Sequence, residues 1–173
     1  MFVVNRSVAL PKADLYRDLN AQLAALFADE RDGLANAANL AALLYEALPD
    51  VNWVGFYFLR GSELVLGPFQ GKVACVRIAL GRGVCGTAAR DRKTIVVPDV
   101  QAFPGHIACD SASRSEVVVP LLHGEQLLGV LDLDSPREAR FDQDDADGLA
   151  TAVQLLLAHS DLSRLWSPAH RDA

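Results

Sequence analysis

The chain has 173 residues, 51% hydrophobic and 22% charged, with a formal net charge of -6. That length can bury a full core in one domain without cross-links, and the composition is globular rather than disordered. The acidic balance argues against nucleic acid and anionic membrane surfaces as partners, because both select basic patches. The opening "MFVVNRSVAL" has too short an apolar run for a secretory signal, and Arg6 follows that run rather than preceding it. "ANLAALLYEAL", interrupted by Glu46 and closed by Pro49, falls well short of a membrane span. These features predict a cytoplasmic protein whose thiols stay reduced.

Leu15, Leu19, Leu23 and Leu26 recur at helical spacing and predict a helix from Asp14 to about Phe27. A second helix is predicted from Leu34 to Leu48, ended by Pro49 and Asp50. "VNWVGFYFL", "SELVLGPF" and "VACVRIAL" follow as strands, the first two separated by Arg60-Gly61. "GRGVCGTAARDRK" reads as a glycine turn opening a short helix, and "TIVVP" as a brief strand. From Asp99 to Arg114 runs a long loop with Pro104 and Gly105. "SEVVVPLLH" and "EQLLGVLDLD", joined by Gly124, form the clearest hairpin. A last helix, Asp142 to about His159, opens with acidic residues suited to a helix N-terminus and carries Leu149, Val153, Leu156 and Leu157 on one face. The order predicts an α+β domain, an antiparallel sheet with helices packed against it, because a parallel sheet would need a crossover helix between most strands. The domain is expected over residues 1–165, with 166–173 as a flexible tail.

The three cysteines, Cys75, Cys85 and Cys109, stand at irregular separations and form no disulfide framework. Under reducing conditions they are packed hydrophobes, metal ligands or redox groups. Cys109 lies in "GHIACDSASRSE", a small, polar, turn-prone stretch with nothing apolar to bury a thiol. A loop of that length is uncommon unless it is functional or disordered. An unperturbed thiol is only about 3% thiolate at pH 7, and a cation such as Arg114 or a donor such as Ser111 would raise that fraction. Cys85 stands at a helix start, where backbone N–H groups favour an anion, although cysteines there are often simply packed. Cys75, inside "VACVRI", reads by itself as core. An oxidised thiol needs a second thiol to resolve it, and the chain offers two. Cys75, Cys85, Cys109 and His106 could also supply four metal ligands. With no C-x-x-C pair and long separations, however, neither a metal nor a cofactor is expected. His106 reads equally as a loop residue or an acid–base partner. "GRGVCG" lacks the lysine and the spacing of a phosphate loop.

In "LLGVLDLDS", Asp132 and Asp134 are two apart, so on a strand they share a face roughly 7 Å from each other, with Leu128 and Val130 before them on that face. Glu116 opens the neighbouring strand, and antiparallel pairing would gather the three carboxylates at one end of the sheet. Such a cluster is costly unless a cation or a shared proton relieves it. A ligand ammonium would do so, as would a protonated carboxyl acting as general acid. For Asp134, a strand running out into a "DSP" turn is an equal reading. On "VNWVGFYF", Trp53 and Tyr57 share a face through Gly55, while Val54, Phe56 and Phe58 take the other. The two rings read equally as core or as walls around a gap over Gly55 that would suit a small ligand.

From about Val51 to Pro136 the chain resembles the free methionine-(R)-sulfoxide reductases, a branch of the GAF-domain family. The likeness is carried by "NWVGFY", "LGPFQGKVACVRI", "GRGVCGTAA", "PDVQAFPGHIACDSASRSEVVVPL" and "LLGVLDLDSP". It implies a single GAF-like domain and a cytoplasmic enzyme that reduces the R sulfoxide of free methionine. It implies Cys109 as nucleophile, Cys75 as main resolving thiol, and Cys85 able to form a disulfide with Cys109. It puts Glu116, Asp132 and Asp134 in a substrate pocket with Trp53 and Tyr57, and makes thioredoxin the reductant; family members are often homodimers. The expected chemistry is attack by a Cys109 thiolate on the sulfoxide sulfur, with Glu116 the preferred proton donor and Asp132 and Asp134 holding the α-ammonium. A Cys109 sulfenic acid would then condense with Cys75 or Cys85. Two rivals are a non-catalytic GAF ligand-sensing module and a peroxide-reactive thiol sensor. Ligand sensing requires neither a loop thiol nor resolving partners.

Overall fold

The computed structural model describes residues 10–105 and 110–161. His106, Cys109 and the tail 166–173 lie outside the described residues. Two helices, α1 (Lys12–Leu26) and α2 (Gly33–Ala47), precede the hairpin of β1 (Trp53–Arg60) and β2 (Glu63–Gly71). Next come β3 (Arg77–Ala79), α3 (Gly83–Asp91) and β4 (Ile95–Val97). The hairpin of β5 (Ser115–His123) and β6 (Gln126–Ser135) leads into α4 (Gln143–His159). The six strands form one sheet in the order β3-β2-β1-β6-β5-β4, every neighbour antiparallel. The predicted α+β architecture and its helices agree with this arrangement to within a few residues.

Alternation along β1 divides the molecule into two cores. Val54, Phe56 and Phe58 point to the face covered by α1, α2 and α4, where they meet Leu19, Leu23, Leu40, Leu44, Leu149 and Leu156. Trp53 and Tyr57 point to the opposite face, where α3 contributes Val84, Cys85, Ala88 and Ala89. The first core is the larger, and each fully buried leucine in it contributes about 1.5–3 kcal/mol. The second core is smaller and one end of it is left for chemistry.

Two sequence expectations fail here for physical reasons. "VACVRIAL" is a strand only over Arg77–Ala79; Val73, Ala74 and Cys75 form a loop in which Val73 is 88% exposed. The Tyr57 hydroxyl donates to the Cys75 carbonyl at 3.1 Å, so that backbone group is held by a side chain rather than by a strand partner. Cys75 is accordingly half-buried, packed against the small core rather than within it. Leu128 does not share the face of Val130: it packs in the large core, while Leu127 and Val130 lie in the small one. The register shifts between Leu121 and Leu122, where Leu121 pairs with Gly129 and Leu122 with Leu127, so a bulge at Leu128 breaks the alternation.

The contact between α1 and α4 is polar at the N-terminal ends of the two helices. Asp145, with a fully buried side chain, accepts from the Tyr16 hydroxyl at 2.9 Å and from Arg140 Nη1 at 3.0 Å, and also pairs with the Lys12 ammonium. It closes a capping box by accepting from the Asp142 backbone N–H at 2.9 Å, while Asp142 caps the helix in return. Burial and the adjacent Asp145 carboxylate push the Tyr16 hydroxyl well above its usual pKa. Gly148 lets the Tyr16 ring come close, because a β-carbon there would lie 2.1 Å from Tyr16 Cγ. Replacing Asp145 by alanine strands the buried Arg140 guanidinium and should lower stability by about 3–5 kcal/mol, measured as a shift in the urea midpoint at constant slope. A loss below about 1 kcal/mol would mean that this ion cluster does not hold α1 to α4.

Candidate active site

Strand register brings the predicted acids together. Glu116 pairs directly with Asp134, and Val118 with Asp132, so Glu116 is diagonal to Asp132 across the β5–β6 ladder. On the other side of β6, Trp53 pairs with Asp134 and Gly55 with Asp132. Directly paired residues hold their β-carbons about 4.5–5.5 Å apart, so one patch at the sheet's end carries Trp53 and all three acids. The first turn of α3 lies over that patch and brings Cys85 Sγ to 3.9 Å from Glu116 Oε1. Trp53, Tyr57, Cys85, Glu116, Asp132 and Asp134 thus line one cavity, closed on the α3 side by Arg82, Gly83 and Val84.

The remaining predicted residues stand differently. Cys75 does not line the cavity, but Ala74 does, and Tyr57 ties the Cys75 carbonyl to the wall. Of the loop that carries Cys109, the limb from Asp110 onward is described and firmly held. Asp110 and Ser113 both line the cavity. Asn52 Nδ2 donates to Asp110 Oδ2 and to Ser113 Oγ, each at 3.2 Å, and the Ala112 N–H donates to Asp110 Oδ1 at 2.9 Å. That backbone donor, followed by Lys72 and Asn52, holds Asp110 below the usual carboxylate pKa. Arg114, suggested by the sequence as a partner for the loop thiol, pairs with Glu138 beyond β6; the thiol itself lies outside the described residues.

The electrostatics of the cavity favour protons over charge. Burial raises Glu116 well above the ordinary carboxylate range, and the neighbouring Asp132 and Asp134 charges add to the effect. Burial pushes Asp132 up to about 7, opposed by hydrogen bonds from Cys85 and Glu116. Asp134 is raised chiefly by burial and then by Asp132, against a hydrogen bond from Ser113. Cys85 is raised by burial first and then by the Asp132 and Glu116 charges. The helix start therefore does not make Cys85 an anion; its thiol remains protonated and donates to Glu116. Glu116 and Asp132 are electrostatically coupled, and burial together with their mutual proximity favours a proton on the pair.

Trp53 resolves the ambiguity over the gap at Gly55. A β-carbon on Gly55 would fall 2.5 Å from Trp53 Cη2 and 2.4 Å from Phe69 Cβ. The indole itself fills the expected gap, stacked 5.4 Å from Phe69 and 5.9 Å from Tyr57, with Nε1 donating to the Lys72 carbonyl at 3.0 Å. The ligand space lies beside the rings and toward the acids. Arg82, Asp110 and Ser113 are lining residues that sequence reasoning missed. The glycines flanking Arg82 were a usable signal. Gly83 takes the left-handed φ of +60° that opens the turn, and a β-carbon on Gly86, one turn on, would meet the Ala79 carbonyl at 2.3 Å, so that glycine seats α3 tightly on β3.

The GAF domain family model matches residues 13–158. The free methionine-R-sulfoxide reductase of Escherichia coli is 51% identical over 159 residues, covering 90% of this chain and 96% of that protein. The protein of the same description from Saccharomyces cerevisiae is 41% identical over 161 residues, covering 88% and 89% respectively. The X-ray structure of the Neisseria meningitidis free methionine-R-sulfoxide reductase in complex with its substrate superposes with a TM-score of 0.87 at 49% identity, covering 92% of this chain and 95% of that one. With Trp53, Tyr57, Glu116, Asp132 and Asp134 gathered in one cavity of this fold, the chain belongs to the GAF-domain family, in its free methionine-R-sulfoxide reductase branch.

Proposed function

We propose that this chain is an oxidoreductase that converts free L-methionine-(R)-sulfoxide to L-methionine. The observation that carries the reading is the buried carboxyl cluster at the end of an aromatic-walled cavity. A cluster of this kind needs a cation and holds a proton, and a free methionine sulfoxide offers an ammonium to the first and a basic oxygen to the second. Asp134 and Asp132 take the α-ammonium. Trp53 and Tyr57 enclose the methyl and sulfoxide groups, and Glu116 faces the oxygen. A residue within a polypeptide lacks the ammonium and leaves buried acids unpaired, which selects for the free amino acid.

In the proposed reaction, the Cys109 thiolate bonds to the sulfoxide sulfur while Glu116 protonates the oxygen. The oxygen passes to Cys109 as the S–S bond breaks, so methionine sulfur is reduced by two electrons and Cys109 is oxidised by two to a sulfenic acid. Asp110, the next residue in the chain, lines the cavity, which supports Cys109 in this role. Condensation of the sulfenic acid with a second thiol releases water and forms a disulfide, which a thioredoxin dithiol reduces. Cys75 suits that step better than Cys85, because the Cys85 thiol is buried and held protonated while Cys75 is half-buried. The cycle requires a reducing compartment, consistent with a cytoplasmic protein that restores oxidised free methionine. Homodimer formation belongs to this reading on the strength of the family resemblance alone.

Incubation with free L-methionine-(R)-sulfoxide, the S epimer and an R-sulfoxide peptide, with thioredoxin recycling, should release methionine only from the first. Absence of turnover on all three would favour a ligand sensor. In single-turnover experiments, Cys109→Ser should abolish methionine formation. Cys75→Ser should retain the first turnover and slow recycling by at least about tenfold. Equal single-turnover yields in Cys109→Ser and wild type would remove position 109 from the chemistry.

The carboxyl cluster also predicts a pH dependence. Its folded-state pKa values exceed the unfolded ones, so its stabilising contribution is complete below the ordinary carboxylate range and is lost as pH rises through about 7. Wild type should lose on the order of a few kcal/mol of stability between about pH 5 and pH 8, and Asp132→Asn should flatten that slope. Single-turnover reduction should slow once pH is high enough for the carboxyl cluster to lose the proton that Glu116 would donate. Urea titrations across pH check the first part and quenched-flow methionine release the second. A wild-type stability that rises toward pH 8 more than that of Asp132→Asn would contradict the assignment.

A further inference from the structure

The cavity holds a donor set that proton transfer does not exhaust. Cys85 offers a sulfur, and Glu116 and Asp132 each offer a carboxylate oxygen, all within 4.8 Å of one another and all on buried residues. Tetrahedral zinc with bonds of about 2.0–2.3 Å separates its ligand atoms by roughly 3.3–3.8 Å. The 3.9 Å between Cys85 Sγ and Glu116 Oε1 is already close to that spacing, and no edge of the cage need contract by more than about 1.5 Å. Asp132 supplies an independent sign of an absent ligand. Its side chain lines the cavity and the residue is only 6% exposed, yet Oδ1 has no hydrogen-bond partner. Leaving a buried carboxylate oxygen unpaired costs about 1–3 kcal/mol or more, which a cation bound at that atom would remove.

We propose that Cys85, Glu116 and Asp132 form a buried binding site for a borderline-soft divalent cation such as Zn2+. The sulfur selects zinc over magnesium or calcium, which prefer all-oxygen shells. With three protein ligands, the fourth position is left to water or a ligand in the cavity. The separations along the chain conceal this site: Cys85 arrives on a helix, Glu116 and Asp132 on paired strands, and no short ligand spacing marks them. Binding exchanges the thiol proton for the metal and involves no electron transfer. It would occupy the group that donates the proton and the acid that meets the ammonium, so the metal would exclude the sulfoxide. That consequence rests on the proposed function, whereas the affinity for metal does not.

The test is titration of the fully reduced full-length protein with Co2+, followed by displacement with Zn2+. One equivalent of Co2+ should give a thiolate-to-cobalt charge-transfer band in the near ultraviolet and tetrahedral d–d absorption in the visible, both lost on adding Zn2+. Cys85→Ser should abolish the charge-transfer band. Asp132→Asn and Glu116→Gln should each weaken the metal by at least about tenfold, while Cys75→Ser leaves it unchanged. Far-ultraviolet circular dichroism of each variant checks its fold, and Asp132→Asn, nearly isosteric, serves if Cys85→Ser does not fold. Absence of stoichiometric Co2+ binding, a charge-transfer band retained in folded Cys85→Ser, or affinity unaffected by Asp132→Asn would overturn the site. None of these readouts requires turnover, so failure here and failure of the reductase assay are distinguishable.

Discussion

The antiparallel register between β5 and β6 is the constraint on which the cavity depends. Pairing Glu116 with Asp134 and Val118 with Asp132 fixes which side chains meet at the sheet's end, and a slip of one residue would send the acids to the helical core. The register is locked by the other face. Val117, Val119, Leu131 and Leu133 from the same two strands are buried beneath α1, α2 and α4, so any slip would expose them. A large apolar core on one side thereby holds an unfavourable acidic cluster in place on the other. The bulge at Leu128 lies at the far end of the hairpin and leaves the acidic end in regular alternation.

That division of labour explains why the charges are tolerated. Three carboxyls and a thiol packed together cannot all be ionised, and the cavity answers by retaining protons. Protons move quickly and are exchangeable for a ligand's ammonium, whereas a fixed arginine in the same place would neutralise the acids and leave nothing for a substrate to do. The cations near the cavity are spent elsewhere: Arg114 on Glu138, and Lys72 on the outer side of Asp110. Among the described residues, Arg82, beside the start of α3, is the cation on the cavity lining.

Much of this was legible in the sequence, for reasons that can be named. Alternation in "VNWVGFYF" separated Trp53 and Tyr57 from Val54, Phe56 and Phe58, because a buried strand must choose a side for each residue. Two acids at i and i+2 opposite a third were readable as a cluster, because a hairpin with so clear a turn has few registers. What escaped was set by side-chain packing. The side-chain capture of the Cys75 carbonyl by Tyr57, the bulge at Leu128, and the indole folded over its own glycine neighbour all depend on contacts no periodicity encodes. Asp110 and Ser113 were invisible as lining residues because their loop has no period. Their places follow from Asn52, which lies far away in sequence.

The thiols illustrate how environment overrides a local rule. A helix N-terminus favours an anion by about 0.3–1 kcal/mol at the surface and up to roughly 2 kcal/mol when partly buried. Cys85 sits in such a first turn, and by that rule alone it would be the reactive sulfur. Burial and two flanking acids oppose the rule and prevail, since each pKa unit of upward shift represents about 1.4 kcal/mol against the thiolate. A thiol kept protonated beside a buried carboxyl makes a poor nucleophile but a good hydrogen-bond donor and, once a metal displaces its proton, a good ligand. A reactive thiolate would need a setting where neither constraint acts.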